Sequence, residues 1–316
     1  MKKITFILFL SLSLVFLSSC TSSKNADIVT TMFPQYDFAR QIVGDKLSVS
    51  LLLPPGVEVH SYEATSKDMV AIKNAQLFIF TSLDIDTWIK DPSTIGGKDT
   101  VVMNLSEHYT LEDHEHDHLL PDETEADEHD HGDELHYWVD PLVALQLIDA
   151  ILEEIIQIDP INENFYRTNA ENYHELIHQL HESFDSFIQN GHVDQDIFFA
   201  GHNAMGLFGL RYHLTIESLF ESFKPDADLT SSELIQFTTI VTNANVHYLF
   251  IEELAQPKAA IQIQQELKKN DYTLELLELH AYHNLTKTEM EEGVSYVDLF
   301  ERNIEYITLA LTENHD

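Results

Sequence analysis

Residues Asn162 to Gln189 read NENFYRTNAENYHELIHQLHESFDSFIQ. Apolar or aromatic side chains fall at Tyr166, Ala170, Tyr173, Ile177, Leu180, Phe184 and Phe187, in alternating steps of four and three. That spacing stacks them on one face of an α-helix, and no glycine or proline interrupts it. At ~1.5 Å per residue the helix is about 40 Å long, enough to run the length of two domains.

What flanks this helix decides the architecture. On its N-terminal side, Ile28–Met32, Leu47–Leu53, Leu77–Thr81 and Val101–Leu105 read as strands, with helical spacing at Phe38–Val43 and Ser66–Asn74. A further helix starts at Pro141 and carries Leu142, Leu145, Ile148, Leu152, Ile155 and Ile156. On its C-terminal side, strands are expected near Ile197–Ala200, Leu214–Ser218, Val246–Ile251 and Tyr272–Leu277, with a final helix near Tyr296–Leu311. Strand–helix alternation on both sides predicts an α/β fold of two lobes, each a mostly parallel sheet with flanking helices, joined by one long helix. The expected boundaries are an N-terminal lobe over 27–160, the linking helix over 161–190 and a C-terminal lobe over 191–316.

Two segments fall outside this pattern. Lys2 and Lys3 precede an apolar run, Ile4–Leu17, too short for a comfortable membrane span and flanked like a secretory signal. It ends in Leu17-Ser18-Ser19-Cys20, which resembles the cleavage and lipidation box of bacterial lipoproteins. Residues 1–19 are therefore expected to be a signal peptide, Cys20 the lipidated residue and 20–26 a tether. Cys20 is the single cysteine of the 316 residues, so the fold rests on its core without an internal disulfide. The second segment, 107–134, is dominated by His, Asp and Glu and has almost nothing to bury, so it reads as a flexible insertion in the first lobe.

Composition narrows the function. With 17 basic against 54 acidic residues the formal net charge is −37, which argues against nucleic acid and against adhesion to anionic lipid through the protein surface. The 18 histidines exceed ordinary usage and point to metal. Inside the long helix, His174-Glu175-Leu176-Ile177-His178 has the spacing of the zinc-protease motif. Yet it lies on the flank of the apolar stripe, and Asp185 follows where further ligands and a glycine would be needed. A zinc metalloprotease is thus one alternative function, and a surface adhesin or passive metal buffer is another. No Gly-x-Ser-x-Gly elbow, phosphate loop or dinucleotide fingerprint is present, so an enzyme is not expected.

Several histidines sit where strands give way to loops, the usual place for ligand sites in open α/β sheets. Pro54-Pro55-Gly56-Val57-Glu58-Val59-His60 follows a strand through a sharp turn. His136-Tyr137-Trp138-Val139-Asp140-Pro141 opens a helix, with Asp140 as its cap and Pro141 in its first turn. Ala200-Gly201-His202-Asn203 again places a histidine after a strand.

Together these segments resemble the signature elements of the metal-binding lipoproteins that serve ABC importers for zinc and manganese. Leu83-Asp84-Ile85-Asp86-Thr87-Trp88, Lys224-Pro225-Asp226-Ala227-Asp228 and Phe250-Ile251-Glu252-Glu253 match in order and spacing, so the resemblance spans essentially the whole mature chain. It implies metal ligation by His60, His136 and His202, with delivery to a separate permease and its ATPase. It also implies an extracytoplasmic receptor, a monomer tethered to the cell membrane only through its N-terminal lipid. The family's fourth ligand is a carboxylate, and here the chain departs. The matching stretch, Leu279-His280-Ala281-Tyr282-His283-Asn284-Leu285-Thr286, puts His283 at that position, with His280 as the alternative; water or Glu58 can also complete the sphere. Four imidazoles favour Zn2+, Cu2+ or Ni2+ over Mn2+, with zinc expected. The His/Asp/Glu segment resembles the histidine-rich insertions of the zinc branch, which makes His114, His116, His118, His129 and His131 accessory metal contacts.

Overall fold

A computed structural model describes residues 25–59, 61–111, 135–191, 196–201, 204–218 and 229–313. Eight strands form two sheets: β1 (Ile28–Thr30), β2 (Val49–Leu51), β3 (Leu77–Phe80) and β4 (Val101–Asn104) in one, β5 (Ile197–Ala200), β6 (Ile216–Ser218), β7 (Tyr248–Glu252) and β8 (Glu275–Leu279) in the other. The orders are β2-β1-β3-β4 and β6-β5-β7-β8, and every pairing is parallel. The central strands β3 (LFIF) and β5 (IFFA) are apolar at every position and wholly buried, as strands covered on both faces must be.

The helices among the described residues are α1 (Phe33–Val43), α2 (Ser66–Asn74), α3 (Pro92–Ile95), α4 (Pro141–Ile158), α5 (Glu163–Asn190), α6 (Gly206–Tyr212), α7 (Ser231–Asn243), α8 (Lys258–Lys268), α9 (Lys287–Glu292) and α10 (Tyr296–Glu313). α5 is the long helix. It buries Tyr166, Ala170, Tyr173, Ile177 and Phe184, the stripe read from its spacing, while Leu180 and Phe187 are half-buried at its edge. α1 starts five residues before the helical spacing expected at Phe38. The reason is a reciprocal cap: Met32 N–H donates to the Gln35 side chain at 2.8 Å, and Pro34 supplies a ready-made first turn.

One hydrophobic cluster runs through the molecule. It takes Phe33, Phe38 and Ile42 from α1, Leu147 and Ile151 from α4, Tyr173 and Ile177 from α5, Phe199 from β5 and Phe300 and Ile307 from α10. Smaller clusters back the outer face of each sheet, around Phe78 and Ile72 in one and around Leu249 and Ile263 in the other.

Polar staples reinforce the shared core. Asp37 on α1, fully buried, accepts from the Tyr173 hydroxyl on α5, from the Tyr296 backbone N–H of α10 at 2.9 Å and from Arg40 Nε at 2.7 Å. Arg40 in turn donates to the carbonyls of Gly293 and Val294 at 2.9 and 2.8 Å. A buried carboxylate is tolerated when it is this fully bonded and paired. No described helix is long and apolar enough to cross a membrane.

Candidate metal centre

The strands of these parallel sheets run toward loops at their C-terminal edges, and the described candidates His136, His280 and His283 lie in such loops. The loop after β2 turns at Gly56, whose φ of +80° suits a residue without a Cβ. Its N–H reaches across to the Leu285 carbonyl at 2.8 Å, while Asn284 Nδ2 donates back to the carbonyls of Pro54 and Val57 at 2.7 and 2.9 Å. Thus the loop that leads to residue 60 is stitched to the loop after β8.

His136 precedes a 3-10 turn (Tyr137–Val139) that feeds α4. Asp140 caps α4 by accepting from Leu142 N–H at 2.8 Å, with Pro141 in the first turn. The same carboxylate takes a bidentate ion pair from Arg211 on α6, with contacts of 2.7 to 3.0 Å, and both side chains are almost fully buried. Trp138 Nε1 donates to the Ala281 carbonyl at 2.8 Å, and the Tyr296 hydroxyl donates to the Trp138 carbonyl at 2.9 Å. The seam between the lobes is therefore closed beside His136.

His283 lies across that seam. The His136 and His283 rings meet edge to face with centroids 5.0 Å apart, and the Trp138 ring lies 5.4 and 5.9 Å from them. Both imidazoles are buried. Glu253, just past β7, lies 2.8 Å from His283 Nδ1 and also accepts from the backbone N–H groups of His283 (3.2 Å) and Ala281 (3.1 Å). An ionised carboxylate only accepts, so Nδ1 carries the proton and the lone pair of the neutral ring is on Nε2.

The electrostatics agree with this pairing. Burial opposes charge on both partners, but the two neighbouring histidines and the hydrogen bonds hold the Glu253 carboxyl far below the ordinary range. Burial alone would lower His283; Glu253, with smaller contributions from Glu252 and Glu58, raises it instead.

His280 is built differently. Its Nδ1 accepts from Tyr282 N–H at 2.8 Å, and Asn303 brackets its backbone on both sides. Burial pushes it down to about 4, against the opposing pull of Glu253. With the Nδ1 lone pair engaged, the proton of the neutral ring belongs on Nε2, which suits a structural residue better than a ligand. Tyr282, between the two histidines, has φ of +63°, a strained value for a bulky residue that these bonds hold in place.

Val57, Glu58, Val59, Glu252, Glu253, Leu254 and His283 line a pocket of about 20 Å³, room for roughly one water-sized guest. The donor set fits a zinc ion: buried imidazole nitrogens, one of them backed by a carboxylate that fixes its tautomer. His60, His202, Cys20 and the loop histidines His114, His116, His118, His129 and His131 lie outside the described residues. Among the described residues alone, no three His, Cys, Asp or Glu side chains gather closely enough to hold an ion.

The two histidines of the protease motif take different partners. His174 Nε2 faces Asp149 on α4 at 3.3 Å, whereas His178 Nδ1 faces Glu182 one turn along α5 at 3.6 Å and is exposed. Neighbouring His181 lies 3.0 Å from the Tyr212 hydroxyl through Nδ1.

A family model described as the periplasmic zinc-uptake complex component A, ZnuA, matches residues 28–310. The chain belongs to the ZnuA family. Among ZnuA relatives, the high-affinity zinc uptake system protein of Bacillus subtilis is 28% identical over 295 residues, covering 93% of this chain and 90% of that protein. The zinc-binding lipoprotein AdcA of Streptococcus pneumoniae is 28% identical over 316 residues, but the match spans 60% of AdcA's length. The solved structure of the metal-dependent lipoprotein YcdH from B. subtilis superposes with a TM-score of 0.73 at 26% identity, covering 90% of this chain and 98% of that one. The Zn(II)-bound ZnuA-like domain of S. pneumoniae AdcA superposes at 0.74 and 23% identity, covering 91% and 99%, and shares the fold. The two-lobe α/β architecture expected from the strand–helix alternation is the one observed, and the comparisons give the protease alternative no support.

Glu253 and Arg211 received no role from sequence reasoning. The signal for Glu253 was available: a second acid directly after an apolar strand end. Arg211 carried no such mark, because its partner Asp140 is 71 residues away.

Proposed function

We propose that this chain is the extracytoplasmic zinc receptor of an ABC importer, holding one ion between its lobes with His60, His136, His202 and His283. The observation that supports it most is the buried pair of imidazoles from opposite lobes, His136 and His283, meeting at 5.0 Å beside a carboxylate that sets one tautomer. Zinc is the cargo. His136 arrives on the capped turn before α4 and His283 on the loop after β8, so binding ties the two lobes at their loop edges. His283 is preferred to His280 because its Nδ1–H donates, leaving Nε2 as its basic nitrogen.

Capture requires neutral rings, so with His283 held above its ordinary value binding is coupled to proton release. The binding site has no bond-making task. The chain serves as a receptor rather than an enzyme, and hydrolysis of ATP and passage through the membrane belong to the separate ATPase and permease. Cys20 lipidation tethers a monomer to the outer face of the membrane, and the histidines between 107 and 134 collect zinc for the main site.

Metal content tests this reading. The protein, with and without residues 112–134, is exposed to equal zinc, manganese and copper, desalted and measured by mass spectrometry. One tightly held zinc is expected in both, lost in a His136→Ala/His283→Ala variant. Zinc held only when the loop is present would reduce the chain to a metal buffer on a receptor fold.

A further inference from the structure

We propose that Glu253 and His283 act as one unit that replaces a carboxylate ligand, with Glu253 the positioning and specificity-determining residue behind the imidazole. The inference rests on the zinc-receptor reading and adds the device that sets its metal preference.

The argument begins with charge. A carboxylate ligand brings one negative charge and a hard oxygen donor to the ion. His283 brings neither. Glu253 restores the charge one residue back, where it touches the imidazole instead of the ion: its carboxylate lies 2.8 Å from Nδ1 and is itself almost fully buried. Geometry then restricts what Glu253 can do. Two backbone N–H groups, from Ala281 and His283, hold its oxygens, so it cannot swing forward without leaving two buried donors unsatisfied. The backbone N–H of His283 belongs to the same residue as the ring, so a single carboxylate fixes both the main chain and the tautomer of the donor.

The result is a nitrogen donor with the charge of a carboxylate site behind it. A carboxylate accepting from the remote nitrogen raises the basicity of the coordinating one, and loss of such a partner typically costs 10–100-fold in affinity. Nitrogen favours zinc, copper and nickel, while manganese keeps a preference for oxygen. The pair therefore excludes manganese through its donor atom and keeps zinc tight through its second charge.

A double-mutant cycle tests the coupling. Zinc affinity is measured by competition with a chromophoric chelator on the intact protein, on Glu253→Gln, on His283→Asp and on the double variant. Glu253→Gln should weaken zinc 10–100-fold in the native background and less than threefold in the His283→Asp background. An equal loss in both backgrounds would make Glu253 a purely structural residue and overturn the proposal. Nitrogen-15 NMR of the metal-free native protein supplies a readout that needs no variant. The His283 ring should show a protonated Nδ1, either as the Nδ1–H tautomer or as imidazolium; a neutral Nε2–H tautomer sinks the proposal. If the native protein binds zinc tightly but Glu253→Gln is as tight, this inference alone fails. If the native protein binds no zinc, the receptor reading fails with it.

Discussion

Replacing Arg211 with methionine removes one side of the ion pair between the lobes and keeps most of the side-chain volume. The pair is almost dry: Arg211 and Asp140 side chains are 8% and 4% exposed, and the guanidinium makes three contacts of 2.7 to 3.0 Å. Asp140 would keep its cap bond to Leu142 N–H but lose its counter-charge in a buried place. Breaking such a pair from one side typically costs about 3–5 kcal/mol, because the remaining charge is stranded. For a chain of this size, about 2–4 °C of melting temperature goes with each kcal/mol, so a fall of about 6–20 °C is expected. Thermal unfolding of the metal-free protein, followed by circular dichroism, is the assay. Arg211→Met/Asp140→Asn should recover part of the loss, because asparagine still caps the helix without a stranded charge. A shift below about 2 °C in the single variant, or a double variant worse than the sum of the singles, would refute the reasoning.

Tyr173→Phe removes a hydroxyl bonded to the buried Asp37 carboxylate, so metal-free stability should fall by about 1.5–3 kcal/mol in urea titration, with little change in slope. His280 has a folded pKa lowered to about 4, so its contribution is full above the unfolded value of about 6.5 and lost as pH falls between the two. His283 is raised, so its contribution is full below the same unfolded value and does not offset that loss. His280 therefore lowers metal-free stability between pH 6.5 and 4 while buried Asp86, raised to about 6, adds to it over the same range, so the check is a difference: the native melting temperature should lose more on acidification than that of His280→Asn. His283→Asp returns an oxygen donor and should raise manganese affinity relative to zinc by tenfold or more in paired chelator competitions.

The fold was legible because its signals were periodic and local. The long stripe on α5, the uninterrupted apolar strands β3 and β5, and the Asp140-Pro141 start of α4 each depend on residues close in sequence. The cap at Met32–Gln35 was missed because methionine is no usual capping residue and the signal lies in Gln35 alone. At the candidate site, the histidine-bearing turns were visible as motifs, and the structure buries His136 and His283 of that set against each other. What could not be read was which nitrogen of which ring is turned to use. His280 and His283 are three residues apart and chemically alike. They differ in what meets Nδ1, a backbone donor for one and a carboxylate from the end of another strand for the other.

The apolar cluster that passes from α1 through α4 and α5 to β5 and α10 has a thermodynamic consequence. Two lobes with private cores would melt as two calorimetric units, each with its own enthalpy. Here the inner faces of both sheets share one interior, and drawing them apart would expose aromatic side chains such as Phe38, Tyr173 and Phe300 to water, a cost proportional to the area uncovered. The molecule is thus expected to melt as one cooperative body, in a single calorimetric transition.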